Sequence, residues 1–378
     1  MGTPGHGGDA ARSRGHQARR REIPASRSQV ARRSLNGSER FLAACARRPV
    51  DRTPVWIMRQ AGRYLPEYRA VRAKVDFLTL CKTPDLAAEV SLQPIERFGM
   101  DGCVIFSDIL IPVEAMGAPV SFGDAGPKLE SPVRTAADVD RLRVPDPIET
   151  MPFVLEALRL TRAALAGRAA LVGFVGGPFT LASYMIEGGG SKTYAATKQM
   201  LYAEPTLMHA LLAKLAQTIA DYASAQAAAG AQAIQVFDTW AGELAPDAYA
   251  SFAAPYQTQV IASIKRAGVP AILFVNGCAG KLEAMMHTGA DVLGVDWRVD
   301  LAAVRAQTGG RFALQGNVDP CVLLATTEAV ALAAHSAMSA AGPLGHILNL
   351  GHGILPPTAV ECVQAFVDAP KKLSAAAS

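Results

Sequence analysis

No apolar run in this 378-residue chain approaches the roughly 20 residues that a bilayer-spanning helix needs. The amino-terminal residues lack an apolar h-region, so neither a secretory signal nor a membrane segment is expected. The six cysteines (Cys45, Cys81, Cys103, Cys278, Cys321 and Cys362) form no C-x-x-C pair. Scattered thiols, with Cys103 inside an apolar run, are read as reduced and mostly buried, in a cytoplasmic protein. His, Cys and acidic residues nowhere gather at metal-ligand spacing. Cys278 and Cys321 could share one rim, but a zinc site would want histidine where Asn276 stands, so no metal is expected. G-x-S-x-G and P-loop motifs are missing. GFVGGPFT follows a strand-like run without the G-x-G-x-x-G spacing or a suitably placed ribose-binding acid. Glu187-Gly188-Gly189-Gly190-Ser191-Lys192 lacks the Walker spacing, which leaves little room for a nucleotide cofactor.

Charge is unevenly placed. The formal net charge is +4. Residues 1–33 hold eight arginines (Arg12, Arg14, Arg19, Arg20, Arg21, Arg27, Arg32 and Arg33) against Asp9 and Glu22, a net +6, which leaves −2 for the rest. This head is rich in Gly, Ser and Arg and buries too little apolar surface to offset the entropy of ordering it. It is read as a disordered basic extension or an upstream start-codon artefact. A transit peptide would need an amphipathic helix that its glycines and proline oppose. A nucleic-acid arm is the third reading, but basic runs are usually solvated charge, and no nucleic-acid partner is expected. The boundaries expected are an extension over 1–33, a globular body over 34–372 and a tail over 373–378. Half of the residues are apolar, and the length suits a single α/β barrel that needs no staples.

Fixed-length repeats are missing, but a pattern recurs. Short apolar, β-branched runs alternate with Ala/Leu-rich helical stretches. Eight runs are predicted as strands: 54–59, 103–107, 170–175, 233–237, 271–275, 291–295, 312–314 and 346–350. They are almost continuously hydrophobic, as parallel strands covered on both faces should be. Helices are predicted from Pro84, over 205–229 up to Gly230, over 246–267 up to Gly268, over 281–288 up to Gly289 and over 326–341 up to Gly342. The alternation implies right-handed crossovers and a parallel sheet, and eight units favour a closed (β/α)8 TIM barrel over an open sheet. The Gly/Pro/Asp-rich stretch 117–147 reads as a surface loop with room for a short hairpin.

Polar side chains cluster where those strands end, the rim on which barrels of this kind carry their sites. Arg59, Asp108, Gly176-Gly177-Pro178, Asp238-Thr239-Trp240, Asn276, Asp296-Trp297, Gln315-Gly316-Asn317 and Gly351-His352-Gly353 follow strands one to eight. Many such residues would merely cap helices or bond backbone. The first loop, Arg59-Gln60-Ala61-Gly62-Arg63, places two guanidiniums four residues apart with a glycine between them. That arrangement suits an anion bearing several carboxylates, though by spacing alone a solvated pair is the commoner outcome.

Several stretches resemble the uroporphyrinogen decarboxylase family. They are PVWIMRQAGRYLPEY at 54–68, VIFSDIL at 104–110, GFVGGPFTLASYMIEGGG at 173–190, FDTWAG at 237–242, LQGNVDP at 314–320 and NLGHGILP at 349–356. The resemblance spans about residues 38–370. It implies a single-domain (β/α)8 barrel, a homodimer, and cofactor-free conversion of uroporphyrinogen III to coproporphyrinogen III, four acetate arms becoming methyls. Loss of CO2 leaves a carbanion, and a pyrrole protonated at its α-carbon would accept the electrons. By resemblance the catalytic set is Asp108, Tyr184, Arg59 and His352. Asp108 would bind the pyrrole N–H groups and stabilise the ring cation. Arg59 and Arg63 would face substrate carboxylates, Arg59 being a poor proton donor. Gln60, Ala61 and Gly62 would supply binding backbone, Tyr184 a phenol, and Thr239 a hydroxyl for a carboxylate. His352 would bind an arm as imidazolium or shuttle a proton, and Phe106 would pack on the macrocycle, with Val104 and Leu110.

Two departures stand out. Family members often carry lysine where this chain has Asn276, so a rim cation is missing, and the basic head has no usual counterpart. Methyl-transferring relatives that bind zinc through His-x-Cys are disfavoured by Asn276 and the intact RQAGR. A non-catalytic tetrapyrrole carrier would have less need of Asp108 and His352.

Overall fold

Seven of the eight predicted strands form. β1 (Gly102–Val104) precedes an antiparallel hairpin of β2 (Val120–Gly123) and β3 (Gly126–Leu129). Then come β4 (Ala170–Gly176), β5 (Ala233–Phe237), β6 (Ala271–Val275), β7 (Val292–Val295), β8 (Ala313–Val318) and β9 (His346–Leu350). The structure, a computed structural model, describes residues 1–2, 34–123 and 126–376, and at 373–376 the backbone alone. The expected disordered extension, apart from Met1 and Gly2, and the last two residues of the tail lie outside the described residues. Contacts separate residues 1–33 from residues 34–378, and all that follows concerns the second unit.

Apart from the hairpin, the strands make one parallel sheet in the order β1-β4-β5-β6-β7-β8-β9. Their apolar runs are buried nearly throughout, with helices between successive strands. The hairpin occupies the stretch at 117–147, which also carries the short helices Ala136–Arg141 and Pro147–Thr150.

The first predicted strand, 54–59, is not one; only Val55 makes an isolated parallel bridge, to Leu348. The reason lies in its donors. Pro54 has none. The Val55 N–H goes to the Asp101 carboxylate at 3.0 Å, Ile57 to the Gln60 amide oxygen at 3.2 Å and Met58 to Asn349 Oδ1 at 3.0 Å. Side chains thus take the groups that a ladder would use. Backbone bonds still reach both edges of the sheet: Trp56 N–H to Leu348 O (3.3 Å), Leu348 N–H to Pro54 O (2.9 Å) and Asp101 N–H to Val55 O (2.8 Å). One segment touching β9 and the start of β1 requires the sheet to curl.

An ion network anchors this seam. Asp101, 1% exposed, accepts from Arg40 and Arg52 at 2.7 Å each, and Arg40 also pairs with Asp51. Within the curl, Trp56, Val172, Ala233, Ile272, Phe274, Val292, Ala313 and Ile347 pack into an inner cluster. Two glutamines share this interior. Trp56 Nε1 donates to Gln315 Oε1, and Gln315 Nε2 donates to Gln235 Oε1, each at 3.0 Å. Gln315-Gly316-Asn317, predicted to follow a strand, therefore belong to β8 itself.

The helices start and stop as their capping residues dictate. Pro84–Phe98 opens on its proline and ends at Gly99, whose φ of +67° few other residues adopt readily. The helix predicted over 246–267 is two, Pro246–Phe252 and Ala254–Arg266, broken at Ala253. Pro255 has no N–H to continue the first helix and sits in the opening turn of the second. The last helix, Val360–Ala376, runs through the boundary expected at 373. Among the described residues, no helix is long and apolar enough to cross a membrane.

Candidate active site

Arg59 is the hub of the predicted site. A turn closed by the Gln60 N–H donating to Ile57 O at 2.9 Å holds it at φ +65°, a costly backbone conformation for a residue with a side chain. Two glycines make room for it. A Cβ on Gly62 would lie 2.8 Å from the Arg59 carbonyl oxygen, and a Cβ on Gly353 would overlap the Arg59 side chain itself. The loop after β9 and the loop after Val55 therefore interlock through this guanidinium.

Its charge bears on three further groups. Asp108, in the loop after β1, is pushed up to about 6, chiefly by burial, against the Leu110 N–H that donates to it at 2.8 Å and the positive charge of Arg59. Tyr184, near the end of helix Pro178–Glu187, is pushed up to about 12 by burial and the Asp108 charge, with Arg59 opposing. His352 is pushed down to about 4 by burial, then by Arg59 and Arg298. Asp108, Tyr184 and His352, from three elements far apart in sequence, thus all lie within reach of the Arg59 charge. With burial and two arginines acting on it, the His352 imidazole is neutral at pH 7, and a carboxylate beside it would favour the charged form.

Tyr184 stacks on Trp240, ring centroids 3.9 Å apart, and Tyr194 meets the same indole edge-on. Trp240 is itself held from below. Thr180 Oγ1 accepts the Trp240 backbone N–H at 3.0 Å and donates to Asp238 Oδ1 at 2.7 Å, while Gln257 donates to Asp238 Oδ2 at 2.8 Å. Asp238, predicted on the rim, is fully buried and serves this scaffold. Its neighbour Thr239 is partly exposed, with a hydroxyl that has no hydrogen-bond partner among the described residues.

The other predicted residues divide. Arg63 is exposed; Ala61 and Gly62 are partly so. Gln60 is 1% exposed, with its amide taken by the Ile57 N–H and by Gly102 O and its backbone N–H donated to Ile57 O, so it holds the turn in shape. Phe106 is half-buried against Tyr68 and Phe77, whereas Leu110 is core. Asp296 accepts from the backbone N–H groups of Gly277, Cys278 and Arg298, and Asn317 donates to the carbonyls of Asp296 and Val299. Both shape loops.

Sequence reasoning missed three features. Trp240 supports Tyr184. Phe174, Phe237 and Phe274 pack edge to face across the top of the strands, with His352 6.2 Å from Phe274. Arg298 stands at the rim beside Asn276, its Nη1 donating to Asn276 Oδ1 at 3.2 Å. The cation that Asn276 lacks is thus supplied from the next strand's loop. Only the aromatic triplet left a signal in the sequence, three phenylalanines at or next to strand ends.

A site rimmed by arginines, with an aromatic floor and one deep carboxylate, suits a flat polyanion. Known proteins agree. The family model described as Uroporphyrinogen decarboxylase (URO-D) matches residues 36–373. The uroporphyrinogen decarboxylase of Nitrosococcus oceani is 53% identical over 344 residues, covering 89% of this chain and 96% of that protein. Those of Geobacter metallireducens and Myxococcus xanthus are 51% and 50% identical, covering 89% and 88% of this chain and 99% and 95% of theirs. Among solved structures, a methyltransferase from Methanosarcina mazei shares the fold, with a TM-score of 0.74 over 90% of this chain and 99% of that one, at 23% identity. A match along nearly the whole folded unit, at about half identity, leaves one conclusion: the chain belongs to the uroporphyrinogen decarboxylase family.

Proposed function

We propose that this protein is a uroporphyrinogen decarboxylase, a carboxy-lyase that converts the four acetate arms of uroporphyrinogen III to methyls and yields coproporphyrinogen III. The observation that carries this reading is the half-buried Asp108 carboxyl that shares the reach of the Arg59 charge with Tyr184 and His352, His352 lying against the edge-to-face phenylalanines. Each turn of the reaction exchanges one CO2 for one proton. A proton added to the pyrrole α-carbon makes the ring cationic. The C–C bond to the carboxylate breaks, CO2 leaves, and the electron pair passes into the ring. The exocyclic carbon then takes a proton to become methyl, and the α-carbon returns its own.

The roles follow from placement. The Asp108 carboxylate, half-buried and within reach of the Arg59 charge, stabilises the cationic ring and accepts from its N–H groups. Arg59 and Arg63 bind acetate carboxylates, Gly62 and Ala61 let an arm come close, and Gln60 holds their turn in shape. The Tyr184 phenol, aligned by Trp240, donates to a carboxylate, as does the Thr239 hydroxyl. Neutral His352 hydrogen-bonds an arm and takes up a proton once that arm's charge is beside it. Phe106 and Phe237 pack against the macrocycle, with Phe274 buried behind Phe237. No cofactor or metal enters this scheme. The proposal extends to a cytoplasmic homodimer, to the 54–59 segment closing the sheet as the eighth member of a (β/α)8 barrel, and to a functional body spanning 34–372.

Anaerobic incubation with uroporphyrinogen III, followed by oxidation and chromatography, tests the reading. Porphyrins with seven to four carboxylates should appear, in amounts that a chelator does not change. Recovery of the eight-carboxylate porphyrin alone would refute it.

A further inference from the structure

We propose that Arg298 is a specificity-determining residue that binds a carboxylate the substrate keeps throughout the reaction, one of the propionate arms, at the outer edge of the cleft. This rests on the activity proposed above. Arg298 lies three residues past the end of β7, on the rim that carries Asp108 and His352. Its guanidinium carbon sits 3.9 Å over the Trp297 ring, and Nη1 alone makes its side-chain hydrogen bonds, to Asn276 Oδ1 and Asp296 Oδ1 at 3.2 Å each. Nε and Nη2 have no partner among the described residues, and half of the side chain is exposed. Three constraints therefore fix the fork while two of its nitrogens stay open to a ligand. A guanidinium already oriented loses little freedom on meeting a planar carboxylate.

Asp296 pairs with this cation through a single nitrogen, Nη1 to Oδ1 at 3.2 Å, and so offsets its charge only in part. Its Oδ2 takes the N–H groups of Gly277 and Cys278 and its Oδ1 takes the Arg298 N–H, so its charge is spread over three backbone donors. Asn276 adds no charge. Trp297 in turn meets His352 edge-on at 6.4 Å, and a Cβ on Gly351 would strike the Trp297 backbone, so the two loops are locked together.

Position selects the arm. Arg59 acts on Asp108, Tyr184 and His352, whereas Arg298 is felt at His352. Arg298, stacked on the Trp297 ring that meets His352 edge-on, stands one side chain beyond the imidazole with half of its own side chain exposed. An acetate about to lose CO2 must belong to the ring held at Asp108. A half-exposed arginine beyond His352 meets a longer arm further out, and the propionates are the longer arms and survive into product.

The test compares Arg298→Gln, Arg298→Lys and the double variant Arg298→Gln/Asn276→Lys with the wild-type protein. KM and kcat are measured on uroporphyrinogen III and on the seven- to five-carboxylate intermediates. For Arg298→Gln, KM should rise about tenfold on all of these substrates alike, with kcat within about twofold. Arg298→Lys should recover part of the loss, and so should the double variant, whose new ammonium stands where Arg298 now reaches Asn276. An unchanged KM overturns the proposal. A rise confined to the eight-carboxylate substrate overturns it by assigning Arg298 to an acetate. A rise that neither lysine relieves reduces Arg298 to loop structure. Should wild-type protein release no CO2 from uroporphyrinogen III, the activity itself fails, and that is seen before any variant is compared.

Discussion

At the scale of single residues, the site is held at a cost. Asp108 carries its proton more tightly in the folded chain than a free carboxyl does, because burial outweighs the Leu110 N–H and Arg59. A group whose folded pKa is raised destabilises the native state above that pKa and is without effect below its unfolded value near 4. Above about pH 6 the Asp108 charge should therefore cost about 1–2 kcal/mol, solvent in the open cleft tempering the full two-unit shift. Asp108→Asn should gain that amount at pH 8 and nothing at pH 4, in denaturant titrations at both values, while turnover nearly vanishes. For the wild-type protein, kcat/KM should fall about tenfold per unit below about pH 6 as the carboxylate is protonated. A flat acid limb, or an asparagine variant that turns over at a near-normal rate, would remove Asp108 from the centre of the mechanism. Asp108 and His352 could be nominated from the sequence because each follows a strand-like run inside a recognisable motif. Arg298 and Trp240 could not. Their roles exist only after β5, β6 and β7 lie side by side, and each follows an acid that turned out to be scaffold, Asp296 and Asp238.

At the scale of elements, the seam around 54–59 departs furthest from the sequence reading. Its composition is that of a strand, but its partners are side chains 46 and 291 positions away, Asp101 and Asn349, and no local pattern announces them. The helix break at Ala253 had a local cause, Pro255, which the Ala-rich stretch around it masked. The inner strands were legible almost to the residue because continuous burial leaves a continuous apolar run, as in β6, where every residue is buried. The seam also concentrates stability. Asp101 joins helix Gly37–Cys45 through Arg40, the 52–55 segment through Arg52 and the Val55 N–H, and β4 through its own carbonyl, which accepts the Ala170 N–H at 2.8 Å. Asp101→Ala takes the carboxylate from Arg52 and leaves Arg40 with Asp51 alone, in an almost dry pocket, and breaking a buried pair in this way typically costs about 3–5 kcal/mol. Equilibrium unfolding in urea should show that loss as a lower midpoint with little change in slope. A variant as stable as the wild type would mean the network is incidental to the seam.

At the scale of the whole molecule, the question is where the working unit begins. Ser34 is the first residue of the second unit, and the family match opens at residue 36. The first helix starts at the same place. The Asn36 side chain accepts the Glu39 N–H at 2.8 Å while the Glu39 carboxylate accepts the Asn36 N–H at 3.0 Å, and Leu35 donates to Asp51 at 3.3 Å. The hydrogen bonds just named all lie within residues 35–51. A protein beginning at residue 34 should melt within about 2 °C of the full chain and keep kcat/KM within about twofold, although it sheds a net +6. A protein beginning at residue 41 loses the Asn36 cap, worth about 1 kcal/mol. It also loses Arg40, leaving Asp101 buried with one of its two cations gone, and should unfold at much lower urea. The pair of truncations separates two meanings of a basic terminus. If the shorter cut alone abolished turnover while leaving the melting curve in place, the arginines of residues 1–33 would be reaching a carboxylate-rich substrate. The rim cations Arg59, Arg63 and Arg298 would then be insufficient, and the cleft would have to be redrawn to include the head.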